Sequence, residues 1–316
     1  MLAVLSGTAN MLFFSPAGGL DFLKGGGFMA GRRTRRRRSF LQKIVVLAVL
    51  ILAAVLFLHW DNTSLQVTET SVSLPELPEG FDGCRVAVLS DLHGAEFGEG
   101  NADLFTAVSQ TAPDYIFYLG DLEDRYRGPV PGYAETVAAG LAAIAPTYYV
   151  TGNHEWAIGD VPSLKERLRE NGVTVLSNQF VPLERGGDAI ILAGIDDPNG
   201  YADQETPEEL ASELTASCGE DAFWMLLAHR NDHFPGQYSF LGADLVFSGH
   251  GHGGMIRLPG TDGLISTDRT LFPSYTAGLY YKNGSTLFVT RGLGNSGPSF
   301  RLFNRPEVAL VTLARG

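Results

Sequence analysis

The chain has 316 residues, 45% hydrophobic and 18% charged, a balance that supports a folded core and excludes a disordered chain. Its net charge of −12 is unevenly spread: residues 1–43 hold eight basic side chains and one acid, leaving 15 basic and 34 acidic groups, a net of −19, on residues 44–316. A body that acidic repels a nucleic-acid backbone, so nucleic-acid binding is not expected as the main role, although a metal pair can locally reverse the field for a small phosphorylated substrate.

In chain order, residues 1–43 read as a basic cytoplasmic segment. Residues 1–28 look dispensable, and Met29, just after Lys24-Gly25-Gly26-Gly27, is an alternative start. Residues 44–60 follow as a transmembrane helix or uncleaved signal anchor. The run from Ile44 to Leu58 has no charge and no polar face, with Lys43 and Trp60 suited to the two interfaces, though it is short against the about 20 residues of a usual span. The dense positive charge of Arg32–Arg38 is expected to stay cytoplasmic, which sets the rest of the chain on the extracytoplasmic side of the cell membrane. Arg37-Arg38-Ser39-Phe40-Leu41-Gln42 resembles a twin-arginine signal, which implies the twin-arginine export machinery as a partner; an ordinary stop signal is the alternative. No A-x-A site follows at a cleavable distance, which favours a retained anchor.

Residues 61–83 read as a polar linker with one edge strand at 65–72, and residues 84–316 as the main domain. Strands are expected at 85–90, 115–119, 148–151, 174–176, 189–195, 223–228, 245–248, 287–290 and 308–313. Helices are expected near 102–110, 134–144, 163–171 and 207–216, with Asn101 and Ser163 as N-caps. The first half is βαβαβ-like and the end is strand-rich, which suggests an α/β fold with two sheets packed face to face and helices outside. Cys84 and Cys218 are too few for a four-thiolate zinc site; they are expected as two free thiols or one bridge formed after export.

Metal-binding residue types recur just beyond the strands: Asp91 and His93, Asp121 and Asp124, Asn153-His154-Glu155, His229, then His250 and His252. Five of the seven histidines take such positions, and strand-end loops of open α/β sheets converge on one crevice. Imidazole with carboxylate and amide oxygen suits Mn, Zn or Fe. The alternation of Asp-x-His and His-x-His is expected to aim side chains of an extended segment to one side, with the neighbouring glycines allowing sharp turns.

D-x-H, G-D-x-x-D, G-N-H-E, a lone His and G-H-x-H, in this order, resemble the five motifs of calcineurin-like metallophosphoesterases over about residues 85–305. The segment Gly253-Gly254-Met255-Ile256 is similar to a membrane-associated bacterial branch, where Gln is usual in place of Met255. Tyr275-Thr276-Ala277-Gly278-Leu279-Tyr280 and Arg291-Gly292-Leu293-Gly294 resemble the same branch, which includes proteins similar to UDP-2,3-diacylglucosamine hydrolases. The resemblance implies a four-layer αββα sandwich of two mixed sheets with a catalytic domain at 84–316. It implies one divalent metal on Asp91, His93 and His252, and a second on Asn153, His229 and His250. Asp121 would bridge the two, and His233 is a rival to His229. His154 would serve the leaving oxygen, with Asp124 and Glu155 orienting the histidines from behind. The implied reaction is hydrolysis of a phosphodiester, phosphomonoester or pyrophosphate through in-line attack by a metal-bridging hydroxide; the membrane tether, separately, makes a lipid-linked or cell-envelope phosphate attractive as substrate. Arg257 and Arg291 are candidates for phosphate contacts, with loop bracing as the alternative. A non-catalytic interaction module on the same fold is the competing class. Loops 125–132, 196–205 and 259–277 are expected to wall the pocket.

Overall fold

The computed structural model describes residues 28–258, 262–267, 269–297 and 299–316, and divides into two compact units, residues 1–54 and 55–316. The expectations for residues 1–27 lie outside the described residues, as do the side chains of residues 28–37. Helix α1 (Phe28–Thr63) runs unbroken for 36 residues. Its segment Arg38–Thr63, whose most apolar 18-residue stretch has a mean hydropathy of 2.7, is long and apolar enough to cross a membrane, and a helix satisfies its own backbone polar groups there. Its large apolar side chains between Phe40 and Leu56 are exposed. The polar stretch after Trp60 is not all linker: the helix continues to Thr63 and a strand begins at Gln66.

The second unit holds two six-stranded mixed sheets. In chain order the strands are β1 (Gln66–Ser73), β2 (Arg85–Leu89), β3 (Tyr115–Tyr118), β4 (Thr147–Tyr149), β5 (Val173–Val175) and β6 (Gln179–Arg185). They continue with β7 (Asp188–Gly194), β8 (Trp224–Arg230), β9 (Leu245–Gly249), β10 (Gly278–Lys282), β11 (Ser285–Val289) and β12 (Glu307–Ala314). The helices are α2 (Ala102–Gln110), α3 (Tyr133–Ala142), α4 (Asn153–Ile158), α5 (Val161–Glu170) and α6 (Pro207–Cys218). One sheet has the order β1-β12-β2-β3-β4-β5 and the other β10-β11-β9-β8-β7-β6. Strands β2 to β5 are parallel, as are β7, β8, β9 and β11.

Alternation along buried strands builds the layers. Val86 and Val88 of β2 face the core between the sheets, with Phe117, Met225, Leu227 and Phe247, while Ala87 and Leu89 face helices. Outside the first sheet lie Leu104 and Val108 of α2, Val137 and Leu141 of α3, and Leu164 and Leu168 of α5. Outside the second lie Leu210 and Leu214 of α6. The result is the αββα sandwich. Helix α6 starts with a full capping box, Thr206 Oγ1 accepting from the Glu209 amide at 3.2 Å and Glu209 accepting from the Thr206 amide at 2.8 Å.

Three expectations need correction. Asn101 stands at the start of α2 in a left-handed conformation and makes no side-chain cap bond; its Oδ1 instead accepts from the Phe97 amide at 3.0 Å. Ser163 lies inside α5, which begins at Val161, and accepts from Arg167 at 2.9 Å. Strands β6 and β10 and helix α4 were not anticipated. Both cysteines are free, Cys84 buried and Cys218 exposed, and burial pushes the Cys84 thiol up to about 12.

Candidate metal centre

The carboxyl ends of β2, β3 and β4 in one sheet and of β8 and β9 in the other deliver side chains to one place. Past the ends of β2 and β3 the two loops stay paired: the Asp91 amide donates to the Gly120 carbonyl and the His93 amide to the Asp121 carbonyl, each at 3.0 Å. The segments are not extended, as the alternation argument required. Asp91, His93, Asp121, His250 and His252 all have φ between 46° and 62°, in the left-handed region. Each such residue stores roughly 1–3 kcal/mol of strain, which the surrounding sheets must hold. Side chains converge because the backbone curls at each of them, not because of a strand's pleat.

Helix α4 opens on Asn153 and His154, so the G-N-H-E motif is a first helical turn. Glu155 reaches back to the Gly152 amide at 2.7 Å and also accepts from the amides of Asp121, Leu122 and Glu123. All four bonds go to main chain, so Glu155 braces the Asp121 loop and orients no histidine. His229 sits where the pairing of β8 with β9 shifts register between Leu227 and Arg230, a bulge of the kind that re-aims a side chain. Its Nδ1 faces the Leu119 carbonyl at 2.6 Å, leaving Nε2 inward.

Two groups result. His93 Nε2 lies 3.0 Å from His252 Nε2, and Asp91 Oδ1 lies 3.5 Å from His252 Nε2. His229 Nε2 lies 3.1 Å from His250 Nδ1 and 3.2 Å from Asn153 Oδ1. Asp121 Oδ2 stands between them, 3.6 Å from His93 Nε2 and 3.4 Å from His229 Nε2. Asp91-His93-His252 and Asp121-His229-His250 could each hold a metal ion. The fit is chemical as well as geometric: Asp91 Oδ1 is buried without a hydrogen-bond donor, and ring nitrogens meet pairwise at close range. Burial pushes His93 down to about 4 and lowers His250 and His252 well below the ordinary imidazole value, which keeps their lone pairs available. Burial alone would raise Asp121, but the imidazoles of His229, His93 and His154 hold it well below the usual carboxylate range.

His154 is just outside these groups. Its Nε2 is 4.0 Å from Asp121 Oδ2 and 3.3 Å from Ser296 Oγ, while Nδ1 faces Asp124 Oδ1 at 3.3 Å and the Arg125 amide at 3.1 Å. Asp124 therefore does touch a histidine. His233, by contrast, lies away from the centre, with Nδ1 toward Gln237 at 3.2 Å and its ring against Tyr238.

A cavity of about 260 Å³ opens over the centre, lined by Arg125, Asn153, His154, Arg230 and Ser296 among others. Neither Arg257 nor Arg291 reaches it. Arg257 donates to the Gly253 carbonyl at 2.9 Å, and Arg291 is tied to Glu307 at 2.8 Å and to Gln66 at 3.2 Å, so both brace loops. The guanidiniums at the cavity are Arg125 and Arg230, the latter fixed by Asp197 at 2.8 Å. Sequence reasoning missed both, although Arg230 directly follows His229. It also missed Arg301, fully buried, which donates to the Gly294 carbonyl at 2.7 Å and the Arg291 carbonyl at 2.8 Å and faces His252 Nδ1 at 3.4 Å. Two of the three expected wall loops contribute here through Arg125, Tyr126 and Asn199, and the third through Thr267; residues 259–261 and 268 of that loop lie outside the described residues.

A model for the family described as calcineurin-like phosphoesterase matches residues 84–254. The chain belongs to the calcineurin-like phosphoesterases. It is 27% identical over 274 residues to an uncharacterized metallophosphoesterase, YkoQ, of Bacillus subtilis (strain 168), covering 84% of this chain and 97% of that protein. It is 28% identical over 284 residues to a Danio rerio transmembrane protein with metallophosphoesterase domain, covering 87% of this chain and 63% of that protein. The sulfate thiohydrolase SoxB from Thermus thermophilus superposes with a TM-score of 0.45 at 13% identity, over 76% of this chain and 58% of that one. Like its family, the chain is a metal-dependent phosphoric ester hydrolase.

In this calcineurin-like phosphoesterase, Gly152 leaves no room for a side chain: a Cβ there would stand 2.2 Å from Asp121 Oδ1 and 2.6 Å from the Asp121 amide. Gly152→Ala is expected to displace the Asp121 carboxylate, lowering metal retained after dialysis and costing about 1–3 kcal/mol of stability. Elemental analysis and a urea unfolding curve check this; an unchanged metal content and midpoint would show that the loop yields freely.

Proposed function

We propose that the protein is a membrane-anchored, two-metal phosphoester hydrolase of the cell envelope. The observation that carries this reading is the position of Asp121 Oδ2 between His93 and His229, one carboxylate oxygen shared by two metal-ligand groups. In this reading Asp91, His93 and His252 would hold one divalent cation and Asn153, His229 and His250 the other, with Asp121 serving both; Mn, Zn and Fe all suit these donors. Two such ions supply a nucleophile at neutral pH and oppose charge on the phosphoryl oxygens. His154 holds a proton on Nε2 for the leaving oxygen, with Asp124 and the Arg125 amide fixing the ring from its other nitrogen. Arg230, held by Asp197, and Arg125 bind phosphate oxygens from the cavity wall, in place of Arg257 and Arg291. A non-catalytic module has no need of eight intact ligand and proton-transfer side chains gathered in one centre, which weighs against that alternative.

The basic residues Arg32–Arg38, in the N-terminal part of α1, support a cytoplasmic N-terminus and an extracytoplasmic catalytic domain, with export of the folded enzyme by the twin-arginine route. A substrate in the same envelope follows, a lipid-linked or cell-wall phosphoester. The test is turnover by the full-length protein. After dialysis against EDTA, hydrolysis of bis-p-nitrophenyl phosphate is expected to fall to background, and added Mn²⁺ to restore it by at least about 10²-fold. Turnover indifferent to both treatments would overturn the two-metal reading.

A further inference from the structure

Beside the metal cavity lies a second pocket, of about 360 Å³, walled by Tyr126, Met255, Ile256, Ile265 and Phe300. The two spaces share Tyr126, Thr267 and Ser296, so they meet along one boundary. Their chemistry differs: the first is ringed by imidazole, carboxylate and guanidinium, whereas the second combines five large apolar or aromatic side chains with Ser266, Thr267, Arg269, Ser296 and Ser299. Tyr126 stands between them, its hydroxyl bonded to Arg125 at 2.6 Å and its ring under that guanidinium.

The wall of the apolar pocket is tied to the end of α1. Asn62 Oδ1 accepts from the Arg301 amide at 2.7 Å and from Asn295 Nδ2 at 2.9 Å, and Asn62 Nδ2 donates to the Arg301 carbonyl at 2.9 Å. Phe57 packs on Phe303, ring centroids 5.4 Å apart. Residues 295–297 and 299–303 thus carry Ser296 and Phe300 into the pocket while being fastened to the last turns of the apolar helix. Apolar groups around this wall are left in the open: Phe300 is 52% exposed, Phe303 49% and Leu271, bridged to Ile265, 65%. Apolar surface gathered next to a polar reaction site, on the segment that joins a membrane-spanning helix, fits a ligand that brings its own hydrocarbon.

Resting on the hydrolase reading above, we propose that this pocket is the subsite for the hydrocarbon chain of a lipid phosphoester whose phosphate lies in the metal cavity. Tyr126 separates head from tail, Arg125 and Arg230 meet the phosphate, and Met255, Ile256, Ile265 and Phe300 surround the first methylenes of the chain. The pocket makes chain length, rather than head-group identity alone, a determinant of specificity.

The experiment uses the full-length, Mn²⁺-loaded protein in phosphatidylcholine nanodiscs with a series of alkyl p-nitrophenyl phosphates, methyl through octyl. In each, water's oxygen bonds to phosphorus, the bond to p-nitrophenolate breaks and an alkyl phosphate is released. Each methylene removed from water is worth about fourfold, so kcat/KM is expected to rise by about tenfold or more from methyl to octyl even if only part of the chain is enclosed. Ile265→Asp, and separately the more exposed Phe300→Asp, are expected to abolish the rise while leaving the methyl ester unchanged. A flat wild-type series with normal methyl-ester turnover overturns the subsite and spares the hydrolase reading, as does a rise retained in both variants. Absence of turnover on every ester defeats the hydrolase reading. Calorimetry with octylphosphonate against methylphosphonate then decides the pocket: tighter octyl binding lost in both variants upholds it, and equal binding overturns it.

Discussion

Asp121→Asn is expected to lower kcat by about 10³-fold and to reduce bound metal from two ions per chain to one or fewer. The substitution keeps the shape of the side chain, and its Oδ1 can still accept from the His154 amide, a bond now 2.8 Å long. What it removes is the charge on the one oxygen that faces both His93 and His229. In the proposed two-metal reading, a single carboxylate between two dications would offset repulsion that the other ligands, one carboxylate, one amide and four imidazoles, would not. Metal analysis after gel filtration, alongside turnover of bis-p-nitrophenyl phosphate, gives the answer. Two ions per chain with near-native kcat would mean that Asp121 does not bridge.

The second large effect is expected at His154. Because it lies outside the two three-residue groups formed by Asp91, His93 and His252 and by Asp121, His229 and His250, His154→Gln should retain the metals. It removes the proton that the leaving oxygen needs, so kcat should fall by about 10²–10³-fold on an ester with an alkyl leaving group. With p-nitrophenolate, which departs without a proton, the loss should be under about tenfold. That contrast is what separates proton transfer from mere support of the fold. His93, Asp124 and His154 also come close enough together to hold an ion. An equal loss on both esters, accompanied by loss of metal, would assign His154 to ligation instead.

Much of the centre was legible because its signals are local. A metal-binding residue one or two positions beyond a strand, beside glycine, can be found without knowing which strands are neighbours. Asp91, Asp121 and His250 were reached in that way. They do not converge through the alternation of an extended strand, however, since each of them is in a left-handed turn. Strand β10 escaped notice because its pattern of partly exposed residues resembles a loop, and β6 because Pro182 and its polar neighbours hide the alternation. Helix α4 escaped because six residues are too few to show a period.

The arginines mark where local reading stops. A guanidinium sits at the end of a long flexible stem, and its direction is set by whatever anion or carbonyl the fold brings near. Glu307 of β12 turns Arg291 away from the cavity, while Asp197, from a different loop, turns Arg230 into it. The same holds for His229 and His233, four residues apart: a bulge in β8 points the first inward, and Tyr238 takes the second.

By itself the sequence determined the apolar helix, the alternation of strands and helices, and the kinds of side chain carried by each strand end. These follow from hydrophobic runs and from residue chemistry, which need only neighbours in the chain. Only the tertiary structure decided which arginines reach the cavity, how the backbone curls at each strand end, and that large apolar side chains line the space next door. Those depend on segments from different parts of the chain meeting at the ends of two sheets, and on side-chain partners that no local pattern names.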